Sequence, residues 1–103
     1  MQEKYTETPE TMSWVDAEQS KLTLQFTLIN AEQENISLMM NEHGCYLSVP
    51  TEDSEYVSTL SFLHTVKPAE AKATFQDAYL TVEVPFKDPL SNYVKVPVEK
   101  NET

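Results

Sequence analysis

Apolar residues return at every second position over most of this chain, and that period limits what it can form more than any other feature. Leu22, Leu24, Phe26 and Leu28 alternate with Thr23, Gln25 and Thr27. Successive side chains of a strand point to opposite faces, so this run predicts a strand with one buried face. The period resumes in Ile36-Ser37-Leu38-Met39-Met40 and again in Cys45-Tyr46-Leu47-Ser48-Val49. Between them, Asn41-Glu42-His43-Gly44 reads as the turn of a hairpin, with Gly44 expected to supply a positive φ. Residues 50–55 form a short acidic turn. The strand expected over 56–63 carries Tyr56, Leu60 and Phe62 on one face and Val57 and Leu63 on the other. Leu80, Val82 and Val84 then alternate up to Pro85, which stops the ladder because proline has no N–H to give it.

Helix has almost no place in this pattern. Ala69-Glu70-Ala71-Lys72-Ala73 has helix-forming composition, but five residues are too few to sustain a helix unaided. A turn leading into a short strand that ends near Phe75 competes with it. Residues 1–13 are polar, contain Pro9 and show neither period, so they read as a loose arm, with at most one helical turn opening at Thr8-Pro9-Glu10. In the tail, Val94, Val96 and Val98 repeat the two-residue period with Pro97 between the last two. That segment is an edge strand or a peptide that docks elsewhere. Several short strands at near-regular spacing point to a sandwich or barrel of seven or eight strands, with Leu24, Phe26, Leu60 and Val82 in its core.

At 103 residues the chain has room for one domain, and a domain of this size buries roughly 60–70% of its unfolded surface. Its 17 acidic residues against 7 basic ones give a formal charge of −10, which repels phosphate backbones and anionic lipid heads. Nucleic acid and membrane surfaces are therefore not expected partners. The acidity is read as a solubilising surface, with an acidic docking face for a basic partner as the alternative. One glycine, Gly44, cannot build a phosphate-binding loop, a dinucleotide fingerprint or a nucleophile elbow. His43, His64 and Cys45 lack the four-ligand spacing of a structural metal site, and Cys45 is expected to be a small buried or half-buried residue. Glu52, Asp53 and Glu55 read as a solvated turn, and Trp14 as a core or edge anchor. The expectation is no enzyme, no cofactor, no metal and no catalytic residue. A lone cysteine and an N-terminus without an apolar signal core make a reducing cytoplasm the expected location.

Two segments resemble the α-crystallin domain of small heat-shock proteins. In that family a strand ends in leucine-proline-glycine, followed by a charged stretch and an isoleucine opening the next strand. Leu28 to Ile36 is similar in length, with Ile29 and Asn30 standing where the proline and glycine would be. The late signature of the family is matched in register by Ala73, Phe75, Asp77 and Leu80, followed by Val82, Val84 and Pro85. Its glycine is Ala78 here, which implies a backbone conformation open to a residue with a Cβ. Val96-Pro97-Val98 resembles the C-terminal anchor of the family, two β-branched residues that plug a groove on a neighbouring domain.

The resemblance implies an immunoglobulin-like antiparallel β-sandwich of the α-crystallin type over residues 14–88, a short flexible arm over 1–13, and an extension over 89–103 carrying the Val96, Pro97, Val98 anchor. Its groove would be lined by Ile36, Leu38 and Phe75. The implied function is that of an ATP-independent chaperone, a stress-response holdase binding exposed hydrophobic segments of unfolding proteins. The alternative is an adaptor module like the CS domain of co-chaperones, docking on a folded chaperone partner. Only residues 50–55 stand where many members carry a loop exchanged between partners, so self-association is expected to stop at a monomer or small oligomer.

Overall fold

The computed structural model describes residues 5–88 and 94–101. Eight strands follow one another: β1 (Tyr5–Glu7), β2 (Thr11–Asp16), β3 (Lys21–Thr27), β4 (Ser37–Asn41), β5 (Gly44–Pro50), β6 (Ser54–Ser61), β7 (Lys72–Gln76) and β8 (Tyr79–Pro85). The helical content among the described residues is two single 3₁₀ turns, Gln33–Asn35 and Pro68–Glu70. The strands form two sheets of four, ordered β1-β6-β5-β4 and β2-β3-β8-β7. Pairing is antiparallel except between β1 and β6, which run parallel.

The two-residue period becomes the core. Leu22, Leu24 and Phe26 of β3 and Leu80, Val82 and Val84 of β8 face Cys45, Leu47 and Val49 of β5, all of them buried. Val66 and Phe86 close one end of the sandwich through an isolated bridge. Of the four residues expected in the core, Leu24, Phe26 and Val82 are buried, whereas Leu60 only packs against the core from the rim. Leu63 points into solvent at 97% exposure.

The structure changes the reading of residues 1–13. Tyr5–Glu7 and Thr11–Asp16 are strands, and they add an edge to each sheet. The chain crosses between the sheets at Thr8-Pro9-Glu10, where Pro9 is buried and no helical turn forms. A proline disfavours the α conformation in the residue before it, which suits a crossover without a helical turn. The polar character of this segment hid its strands because neither packs a face into the central core. Residues 1–4 of that arm and the linker 89–93 lie outside the described residues.

Two turns differ from expectation in conformation. Gly44 does not have a positive φ. Asn41 closes the β4–β5 turn by accepting the His43 and Gly44 N–H groups on Oδ1 at 2.7 and 2.9 Å. Gly44 is required for room, since an added Cβ would collide with the Leu60 carbonyl on β6. Ala78, expected in an ordinary conformation, has φ 71°, next to Asp77 at 53°. Two consecutive positive φ values between the paired Gln76 and Tyr79 make a type I′ hairpin turn. Asn30 holds φ 66° at the other position where the resembled family has glycine. Asparagine tolerates that region; alanine does so at a cost. Ala78→Gly should therefore raise stability by about 1 kcal/mol, read as a melting temperature higher by about 4–8 °C.

Candidate binding clefts

The two sheets diverge at their edges and leave a cleft on each side of the sandwich. On one side β4 faces β7. Ile36 enters just before β4, Leu38 lies on its inner face, and Phe75 and Ala73 come from β7, so that these residues with Gln33 and Leu80 line a cleft of about 320 Å³. The three residues expected to form one groove, Ile36, Leu38 and Phe75, are thus brought together from opposite sheets, each partly buried and packed against the core. Both flanking strands are sheet edges.

The anchor residues stand apart from this cleft. Val94, Val96 and Val98 are 85%, 74% and 95% exposed, and the described residues 94–101 form no strand. Val94, Val96 and Val98 therefore do not occupy the cleft of their own chain.

On the opposite side β2 overhangs the end of β6. Thr11, Ser13 and Val15 line a cleft of about 470 Å³ with Leu22, Leu24, Leu60, Phe62 and Leu63. The sequence expectation does not include this cleft, because its strand, Thr11–Asp16, straddles the boundary drawn between the arm (1–13) and the sandwich (14–88). The available signal was the alternation of Met12, Trp14 and Asp16 with Thr11, Ser13 and Val15, which carries few apolar residues. Trp14 lies on this edge strand, 45% exposed.

A third concavity, of about 1110 Å³, opens beside β1 and the β5–β6 turn, with Glu7, Glu32, Glu52 and Asp53 in its walls. The turn is closed on itself by Thr51 N–H donating to Ser54 O at 2.7 Å and Ser54 N–H to Thr51 Oγ1 at 3.0 Å. The Tyr56 hydroxyl reaches across to donate to Ile29 O at 3.2 Å.

The residues with reactive side chains are engaged structurally. Cys45 is buried on the inner face of β5, and burial pushes its thiol pKa up, so it stays protonated at neutral pH. His64 stacks edge-on against Phe86 at 5.7 Å, and His43 occupies the β4–β5 turn. Among the described residues no three histidine, cysteine or carboxylate groups are gathered as metal ligands. Nor is any helix among them long and apolar enough to cross a membrane.

This pair of four-stranded sheets, open at both edges, is the α-crystallin type β-sandwich of the small heat-shock proteins. Heat shock protein 16.0 from Schizosaccharomyces pombe superposes with a TM-score of 0.70 at 12% identity, over 89% of this chain and 98% of that one. HSP18.5 from E. histolytica gives 0.68 at 16% identity, over 88% and 98%. A nuclear movement protein from E. cuniculi gives 0.51 at 17% identity, over 75% and 88%. No family model matches the sequence, and no curated protein matches it significantly. The likeness is one of fold.

Proposed function

We propose that this protein is an ATP-independent holdase of the small heat-shock type, acting in the cytoplasm on exposed apolar segments of unfolding proteins, with Val96-Pro97-Val98 serving as a removable plug. The observation that carries this reading is the cleft in which Ile36 and Leu38 of one sheet meet Phe75 of the other between two open strand edges. An extended segment entering there gains backbone pairing and side-chain burial together. The exposed valines of the tail fit the same cleft on a neighbouring copy, with Pro97 holding them extended. Two fully buried valines contribute at most ~3–6 kcal/mol before ordering costs, so the plug is exchangeable. A formal charge of −10 keeps the loaded complexes in solution.

The test compares the wild type with a Val96→Asp/Val98→Asp variant. Both side chains are exposed, so the substitutions leave the fold intact. Light scattering of a heated model client should fall with added wild-type protein. The variant should form smaller assemblies and suppress aggregation at a lower ratio to client. Unchanged size and unchanged suppression would remove the tail from the mechanism, and no suppression by either protein would remove the holdase reading.

The adaptor reading is favoured by one specific feature, the β1 strand that lies parallel along the outer edge of β6 and covers it. With β1 on that edge, docking on a folded partner would use the remaining surface of the sandwich, and a pull-down with folded chaperones that competes with no client would support it.

A further inference from the structure

We propose that the open edge of β2 is a second binding site, which takes an extended segment of an unfolding protein as an added strand: a segment apolar at alternate positions and cationic at its ends. The Thr27 N–H donates to Glu10 O at 2.9 Å, one step beyond the Thr11↔Phe26 pair of the β2–β3 register. Hydrogen bonding alternates along an antiparallel pair, so Met12, Trp14 and Asp16 bond to β3. Thr11, Ser13 and Val15 therefore direct their N–H and C=O groups away from β3, where the strand order has no neighbour among the described residues. The side chains of these three residues also line the 470 Å³ cleft, whose far wall ends in Leu63. An added strand would bury apolar side chains there and cover Met12 and Trp14, 62% and 45% exposed, on the other face.

Exposed edges are usually guarded by lysine, proline or a bulge. Between Thr11 and Val15 the edge has no charged residue and no proline. Glu10 and Asp16 bracket that uncharged run, with Asp16 held in place by accepting the Gln19 N–H at 3.0 Å. A segment whose alternate apolar residues lie opposite Thr11, Ser13 and Val15 brings its two ends against these carboxylates, which attract lysine or arginine and repel acid. The same charges disfavour a second copy of this chain: β2 paired with itself about Ser13 sets Glu10 of each copy against Asp16 of the other, on two chains each of charge −10. The assignment rests on the holdase reading for the source of the segment; the geometry of the site does not depend on it.

Trp14, the single tryptophan, lies on the strand and reports directly. The probe is a short capped peptide alternating valine and threonine between terminal lysines, with a glutamate-ended version as control. Saturable change in Trp14 fluorescence is expected with the lysine-ended peptide, on the order of tenfold tighter than with the glutamate-ended one. Ser13→Pro removes the central outward N–H and leaves the β2–β3 bonds in place, and Leu63→Asp places a carboxylate in the cleft at a fully solvated position. Each variant should melt like the wild type and lose the response. Wild-type binding in both variants, or no response in the wild type, overturns the proposal, as does a wild-type dimer that Ser13→Pro dissociates. Client aggregation measured alongside separates the two readings: suppression without a peptide response removes this site and leaves the holdase, and loss of both removes both.

Discussion

Replacing Phe26 with alanine should lower the unfolding free energy by about 3–5 kcal/mol, the range for deleting a fully buried aromatic side chain. Phe26 has no solvent exposure and sits on β3 between β2 and β8, opposite Leu80. Its ring fills the space between the sheets, and its neighbours Leu24, Leu80 and Val82 are fixed in two hydrogen-bonded ladders. The cavity left behind therefore cannot collapse. A domain of this size has a stability of roughly 5–15 kcal/mol, so the variant is expected to lose about a fifth of it or more. Denaturant titration should show a lower midpoint with an unchanged slope. A midpoint that barely moves would mean that the inner face has been misassigned, and with it the packing of both sheets.

Gly44→Ala should cost about 3 kcal/mol, a large effect for one methyl group. Gly44 pairs with Ser61 across β5 and β6 and with Asn41 across β4 and β5, so its backbone is held from both sides. An added Cβ would overlap the Leu60 carbonyl oxygen and stand 3.3 Å from its carbon. Those atoms are main chain and cannot rotate away. Relief requires the β5–β6 ladder to shift, and overpacking of this kind costs about 1–3 kcal/mol or somewhat more. The melting temperature should fall by roughly 12–24 °C. A glycine retained for a positive φ would show a milder loss when replaced by asparagine than by alanine; here asparagine should be at least as damaging, because the obstruction begins at Cβ.

The strands with an apolar face were legible because their alternation is driven by burial. Ile36 to Val49 reads as a hairpin, and β4 and β5 form one; Leu80, Val82 and Val84 read as a buried face, and all three are buried. β1 and β2 were not legible, since Thr11 to Val15 lies on an edge and every residue there is exposed. Ala78 shows a similar limit. Its type I′ turn is imposed by the strands on either side and by the Leu28 N–H donating to Ala78 O at 2.7 Å, against the local preference of alanine. Ile36, Leu38 and Phe75 were grouped by resemblance to a family and not by their spacing, because a sequence does not state which edges of two sheets will face each other.

The sequence by itself determined the class of structure: a two-residue apolar period, a scarcity of helix, one glycine and a surplus of acid lead to a small acidic β-sandwich, because burial of alternate side chains needs no knowledge of distant contacts. Only the tertiary structure decided the edges. Which strands end each sheet, which backbone groups they leave unpaired and which side chains from the facing sheet complete a cleft all depend on pairings between residues far apart in the chain. In this fold those edges carry the clefts.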